Sequence, residues 1–146
     1  MLSTATPEAR ELERRDVCAI LARNITGRIA FARNGEIEIR PIRYVYADGS
    51  LYLRSAPDTA LSEIGPQGAR VGFEVDEIHT TQRWRSVVVR GTLYRILPDK
   101  QRDEWLQAFA KLRRFAPAAL ALDDQDTQRT EIFRIDIRDA TGRAMG

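Results

Sequence analysis

The chain contains few of the residues that build disulfides, metal sites and the common catalytic centres. Its 146 residues include one cysteine, Cys18, and one histidine, His79. One cysteine excludes a disulfide within the chain, and one histidine excludes a multi-histidine metal site. The two common glycine-rich phosphate loops are absent, as is a paired-carboxylate pattern typical of glycoside hydrolases. We therefore predict no metal site and assign no catalytic residue, so an enzymatic reaction would depend on a bound cofactor.

Long hydrophobic runs and a strong net charge are absent as well. No run of 18 apolar residues is present, which argues against a membrane-spanning helix and a membrane partner. The polar first 15 residues do not resemble a secretory signal, so the expected location is the cytoplasm. A formal net charge of +2 is too small to indicate nucleic acid as a partner.

Length and composition favour one globular domain. A chain with 43% hydrophobic and 30% charged residues over this length can bury its own core without a disulfide or a metal. We predict a single domain over residues 1–146, with loose tails at 1–7 and 140–146. The basic residues are almost all arginine, and Lys100 and Lys111 are the two lysines. Some of these arginines could contact an anion, although codon usage in the host explains their number as well.

What the chain does contain is a series of short segments with alternating apolar and polar residues, separated by turn signals. Asn34-Gly35 and Asp48-Gly49 are typical of two-residue hairpin turns, and Gly91 indicates a bend or bulge. Six strands joined by tight turns favour a mainly β fold, an antiparallel sheet closed into a small barrel with flanking helices. The predicted strands are 28–33, 36–46, 51–56, 70–78, 84–97 and 131–138; the predicted helices are 8–25, 57–64 and 98–115, with loops at 79–83 and 116–130.

The second strand is interrupted at Arg40-Pro41. Before this point the apolar residues are at odd positions, Ile37 and Ile39, and after it they are mainly at even positions, beginning with Ile42. Because side chains alternate between the two faces of a strand, this phase change predicts a β-bulge at Pro41. Backbone groups freed by the bulge beside Arg40 could bind an anion. The alternative is that Pro41 protects a strand edge from pairing with other chains.

Three segments, residues 40–46, 51–57 and 73–91, together resemble the pyridoxamine 5′-phosphate oxidase-related family of flavin-binding split barrels. The resemblance covers about residues 10–97. It implies a six-stranded antiparallel Greek-key split β-barrel that works as a homodimer, with an FMN molecule at each of two sites on the dimer interface. The implied activity is that of an FMN-dependent oxidoreductase.

The resemblance also implies which residues contact the flavin. The interrupted strand would run beside the ring system and phosphate, the next strand would hold the phosphate, and a third segment would reach the flavin from the partner chain. The residues are Arg40, Pro41, Ile42, Arg43 and Tyr44 on the first strand, Arg54, Ser55 and Ala56 after it, and Trp84, Arg85 and Ser86 from the partner.

One position departs from the family pattern. Family members often carry a basic residue where this chain has Ala60, and the loss of a charge-assisted bond to phosphate would weaken binding roughly ten- to a hundredfold. Arg43 or Arg54 could compensate for this loss. The alternatives are FAD, a deazaflavin with a reductase activity on the same fold, or another nucleotide-like or tetrapyrrole-like ligand. A non-enzymatic dimer that binds a flavin, or that has lost its ligand, also remains open. The sequence does not identify a substrate or an electron donor.

Overall fold

The computed structural model describes residues 8–56, 59–115 and 131–146. The predicted connector 116–130 and the tail 1–7 lie outside these residues. Among the described residues, no helix is long and apolar enough to cross a membrane. The strands are β1 (Arg10–Glu11), β2 (Thr26–Arg33), β3 (Glu36–Ala47), β4 (Ser50–Ser55), β5 (Ala69–Thr80), β6 (Arg83–Ile96) and β7 (Glu131–Met145); the helices are α1 (Arg14–Arg23) and α2 (Arg102–Phe115), with a short 3₁₀ helix at Ala60–Glu63.

The strands form one antiparallel sheet that closes on itself. Hairpins join β2, β3 and β4, and the chain then crosses over so that β5 lies on the other side of β2. This arrangement is a Greek key. Strand β7 closes the ring because it pairs with β6 along most of its length and with β4 along its first part. The prediction of a mainly β, closed antiparallel fold is confirmed.

Both predicted hairpin turns are present. Asn34 and Gly35 have φ angles of 51° and 79°, and Asp48 and Gly49 have φ angles of 54° and 76°. Two successive residues with positive φ are the signature of a type I′ turn, whose twist matches that of the flanking strands. The two turns therefore set the registers β2–β3 and β3–β4.

The inner faces of the strands and one side of α1 form the main core. Val17, Ile20 and Leu21 of α1 pack into one end of the barrel. Within the barrel the rings of Tyr44 and Phe73 meet edge to face, with centroids 5.0 Å apart. A second, smaller core lies outside the barrel where α2 covers the end of β3 and parts of β4, β6 and β7; its buried residues are Val45, Tyr52, Ile96, Ala108, Leu112 and Ile132.

The predicted bulge at Pro41 is wrong. The β2–β3 register is continuous through Pro41, which lies opposite Arg28. The Tyr44 amide donates to the Ile25 carbonyl at 2.9 Å. Since every second residue of an antiparallel strand bonds to a given neighbour, the even residues of β3 bond to β2, and the backbone nitrogens of the odd residues, including Pro41, point away from β2. Pro41 therefore costs the β2–β3 pairing no hydrogen bond. This agrees with the alternative interpretation, in which Pro41 occupies an open strand edge.

The phase change that suggested the bulge has a different cause. Ile37 and Ile39 lie on the outer face of the barrel, where their exposed fractions are 80% and 68%. The inward positions of β3 are even throughout its length. A genuine register shift occurs at Gly91, between β6 and β7, which confirms the bulge or bend predicted there.

Three further element predictions are wrong. Residues 10–11 of the predicted first helix form β1, which pairs with β7. Residues 79–83 are not a loop, because β5 and β6 continue to a tight turn at residues 81–82. The predicted loose tail 140–146 is largely strand: β7 pairs with β6 as far as Met145, and Ala144 is fully buried. The small and polar residues of this segment show no alternation typical of a strand. Its strand structure comes from pairing with β6 and β1.

Candidate functional site

The first half of β3 lies at an opening in the barrel. Strand β4 pairs with β3 only over residues 44–47, and the described residues supply no second strand partner for residues 36–43. The backbone carbonyl of Pro41, which points away from β2, is therefore available to a ligand. This opening is the split in the barrel.

Arg40 projects from this segment on the same side as the barrel interior. Its side chain is half-exposed, and Nη2 lies 3.6 Å from Oε2 of Glu38. The Nε atom, however, is buried and has no hydrogen-bond partner among the described residues. Because a buried donor without an acceptor costs about 1–3 kcal/mol, this atom suits an anion that accepts a hydrogen bond.

The other predicted residues of β3 have different surroundings. Ile42 is half-buried against the main core, and Pro41 and Arg43 are exposed on the outer face. Tyr44 is fully buried and its hydroxyl donates to the Leu21 carbonyl at 2.7 Å. Burial raises the pKa of this phenol well above its ordinary value. Tyr44 is therefore a core residue, and its hydroxyl is not offered to a ligand.

A group of hydroxyls follows β4. Ser55 Oγ lies 2.9 Å from Thr59 Oγ1 and donates to the Ala56 carbonyl at 3.1 Å. The Thr59 amide donates to Ser62 Oγ at 3.1 Å, which donates in turn to Glu131 at 2.7 Å. These hydroxyls can rotate to donate to a phosphate oxygen.

Sequence reasoning missed Thr59, although a threonine three residues before a serine at the start of a short helix is a recognisable pattern. Arg54 is half-buried on β4 opposite Ile132, and Ala56 is exposed. Ala60, where the resemblance led us to expect a basic residue, is buried in the main core. Its methyl group contributes packing where a cation was expected.

The remaining predicted residues lie elsewhere in the chain. Trp84, Arg85 and Ser86 begin β6, and strands β2 and β5 separate them from β3 in the sheet. The structure thus brings Arg40 near the split but does not bring these three residues to it.

The start of β6 borders a groove of about 410 Å³ at the end of the barrel. Glu77 of β5 lies opposite Arg85 of β6. Its carboxylate accepts hydrogen bonds from the side chains of Arg23 and Asn24. These bonds hold the pKa of Glu77 at about 2. The exposed His79 also lines this groove.

Metal and acid–base chemistry find little support in the described residues. They contain no group of three side chains that could hold a metal ion. The carboxyl of Glu74 has its pKa raised by burial and by its neighbour Asp76, but this pair lies on the outer face of β5, away from the split. The residues present fit an anionic cofactor at the split better than a metal centre.

Comparison with known proteins identifies the family. The sequence model described as pyridoxamine 5′-phosphate oxidase matches residues 13–144. The chain belongs to this family. No curated protein matches its sequence.

Solved structures of family-like proteins are similar over almost the whole chain. A FAD-binding protein from Mesorhizobium loti is 28% identical, with a TM-score of 0.76, and the alignment covers 97% of this chain and 99% of that one. A FAD-binding protein from Mycobacterium smegmatis is 22% identical, with a TM-score of 0.70 and coverage of 94% and 100%. The second likeness shows the shared fold alone.

Proposed function

We propose that this family member binds a flavin at the split of the barrel and acts as a flavin-dependent oxidoreductase in a homodimer. The observation that carries the proposal is the buried Nε of Arg40, which has no acceptor among the residues that the structure describes and lies beside the open edge of β3. The 28% identical protein from Mesorhizobium loti, which binds FAD, supports a flavin as the ligand. FMN is the cofactor we propose, because Arg40 and the hydroxyls after β4 suit a single phosphate.

The residues near the split divide the binding task between them. Arg40 would donate to the phosphate together with the hydroxyls of Ser55 and Thr59, since a charged donor makes the stronger bond. Backbone groups at the open edge would bond the polar edge of the flavin ring. The partner's copy of Trp84 would supply a flat apolar face and exclude water. When bound, the flavin would supply the electron-transfer chemistry.

Flavin titration tests the proposal. Purified protein mixed with FMN should give a yellow complex and quench flavin fluorescence at tens of micromolar flavin. Arg40→Ala should abolish binding in this range, because a lost charge-assisted bond weakens affinity roughly ten- to a hundredfold and the family's basic residue is not present to compensate. Arg102→Ala, at the exposed start of α2, is the matched control and should bind like the wild type.

The same experiment can contradict the proposal. Absence of a coloured complex with FMN, FAD and a deazaflavin would remove flavin binding altogether. Thermal shifts with each of the three separate FMN from the alternatives, because only a true ligand raises the melting temperature further as its concentration increases, and a tighter ligand does so at lower concentration. Equal loss of binding in the Arg40 and Arg102 variants would show that Arg40 does not contact the phosphate.

A non-enzymatic flavin-binding dimer is the second candidate function. The buried Ala60, in place of the expected cation, favours it. Reduced nicotinamide nucleotides added to the flavin complex without air distinguish the two functions. Bleaching of the flavin by a reduced nicotinamide supports an oxidoreductase. A bound flavin that is not reduced by any nicotinamide donor, with any acceptor tested, supports a carrier. The cytoplasmic location stays a prediction.

A further inference from the structure

A buried carboxylate is connected to the group of hydroxyls that follows β4. Glu131, the first residue of β7, lies opposite Ser55 of β4 in the strand pairing. Side chains of directly opposed residues share one face of a sheet, so the Glu131 carboxylate and the Ser55 hydroxyl lie on the same face. The Glu131 side chain is 10% exposed. Because a carboxylate is seldom buried without specific partners, its contacts need an explanation.

The carboxylate and an arginine together hold the short 3₁₀ helix. Arg95 of β6 donates through Nη2 to Oε1 of Glu131 at 2.9 Å and through Nη1 to the Ser62 carbonyl at 3.3 Å. Oε2 of Glu131 accepts a hydrogen bond from Ser62 Oγ at 2.7 Å. Ser62 is thus held at two atoms. The ion pair has no net charge, so it repels an anion at the nearby hydroxyls less than an unpaired carboxylate would.

The carboxylate also fixes the direction of the hydrogen bonds. An ionised carboxylate only accepts, so the proton of the Ser62 hydroxyl points to Glu131, and the hydroxyl oxygen accepts from the Thr59 amide at 3.1 Å. The Ser55 and Thr59 hydroxyls have one proton each. One of these protons lies in the 2.9 Å hydrogen bond between them, and Ser55 can direct the other to the exposed Ala56 carbonyl at 3.1 Å. Water can serve that carbonyl equally well, so the Ser55 proton is available to a ligand.

We propose that Ser62 and Glu131 are positioning residues for the phosphate of the flavin. Glu131 orients Ser62, which fixes the backbone of Thr59. The Thr59 hydroxyl then donates to Ser55, and the Ser55 proton turns from the Ala56 carbonyl to a phosphate oxygen. A hydroxyl that accepts one hydrogen bond becomes a stronger donor of the next, so the connected bonds strengthen the last one. The inference rests on the proposed function and adds residues that act on the phosphate through Thr59 without touching it.

A purely structural role for these residues predicts a different binding pattern. Ser62 and Glu131 could simply attach the 3₁₀ helix to β7, although a buried ion pair is weak evidence for such a role because apolar side chains often stabilise a fold as well. Loss of an attachment of this kind would lower stability and affect every flavin alike. Loss of positioning residues weakens the binding of a flavin that carries a phosphate and spares a flavin that lacks one.

Fluorescence titrations with FMN and with riboflavin, which has the same ring system but no phosphate, test the inference. The wild type should bind FMN more tightly. Ser62→Ala and Glu131→Gln should each weaken FMN binding by about three- to tenfold, as expected for one impaired hydrogen bond, and should leave riboflavin binding unchanged. Glu63→Gln is the matched control, because Glu63 is on the same 3₁₀ helix but is bonded to Arg33. It should keep the wild-type preference for FMN. Riboflavin binding also confirms that each variant is folded.

A double-mutant cycle tests whether Ser62 acts through Thr59. Thr59→Val removes the hydroxyl and nearly keeps the shape, so adding Ser62→Ala to it should weaken FMN binding no further. Additive losses, or an unchanged preference for FMN in either Ser62→Ala or Glu131→Gln, would overturn the inference and leave flavin binding standing. A wild type that binds FMN and riboflavin equally has the same meaning. A wild type that binds neither flavin contradicts both the inference and the proposed function.

Discussion

Glu77 joins the end of α1 to β5, and replacing it by glutamine should measure what this connection contributes to stability. Its carboxylate accepts hydrogen bonds from Arg23 Nε at 2.7 Å, from Arg23 Nη2 at 2.5 Å and from Asn24 at 2.8 Å. These bonds lower the pKa of Glu77 to about 2. Glu77→Gln keeps the shape of the side chain but removes its charge.

The size of the effect follows from the pKa. A carboxyl that titrates near 4.5 when unfolded and near 2 when folded corresponds to at most roughly 3.4 kcal/mol, at about 1.36 kcal/mol for each unit. The Arg23 side chain is 46% exposed, so solvent screens the pair. We expect Glu77→Gln to lower the free energy of unfolding by about 1–2 kcal/mol at pH 7.

The pH dependence has a definite sign. The folded pKa lies below the unfolded one, so the stabilisation is present above pH 4.5 and is lost as the pH falls towards 2. Urea unfolding followed by circular dichroism, from pH 7 to pH 2.5 at one protein concentration, measures it. The difference between wild type and Glu77→Gln should shrink steadily over this range.

Glu63→Gln is the matched control. Glu63 also accepts two hydrogen bonds from an arginine, Arg33, at 2.9 Å and 2.8 Å, but its side chain is 57% exposed. Its loss should change stability much less than the loss of Glu77. Equal destabilisation by the two substitutions, or a Glu77→Gln effect that stays constant down to pH 2.5, would refute this reasoning.

Two further substitutions probe the core and the bulge by urea unfolding. Tyr44→Phe should cost about 1–3 kcal/mol, because it leaves the buried Leu21 carbonyl at the end of α1 without a donor; a neutral effect would mean that water replaces the hydroxyl. Gly91→Ala should destabilise the fold by about 1–3 kcal/mol, because a Cβ there meets the Asp136 carbonyl oxygen. Gly35→Ala also introduces a Cβ, but no atom lies within 4 Å of it. The destabilisation by Gly35→Ala therefore comes from the positive φ alone. An equal loss of stability in the two variants would contradict a steric clash between the new Cβ at residue 91 and the Asp136 carbonyl oxygen.

Much of the fold could be predicted because its signals are local. Asn34-Gly35 and Asp48-Gly49 specify type I′ turns from two adjacent residues each. The alternation in β2, β4 and β5 shows which residues face inward. The type of closure came from the resemblance to a known family, since no local pattern states which strands lie side by side.

The candidate site could be predicted only in part. Arg40 was identified from its place beside Pro41, but the buried and unpartnered state of its Nε depends on packing around the split. Tyr44 carries the same polar group as an exposed tyrosine, and only the structure shows that its hydroxyl is bonded to Leu21. Thr59 was missed because its proximity to Ser55 depends on how the chain turns after β4.

The sequence by itself determined where six of the seven strands begin to within about two residues, the two hairpin turns at Asn34-Gly35 and Asp48-Gly49, and the resemblance to a family. The tertiary structure decided which face Ile37 and Ile39 occupy, how far β7 extends, and that two strands, β2 and β5, separate Arg40 from Trp84. The physical reason is the range of the interactions. A turn depends on the φ angles of two residues, whereas the closure of a barrel and the burial of one guanidinium nitrogen depend on pairings between distant parts of the chain.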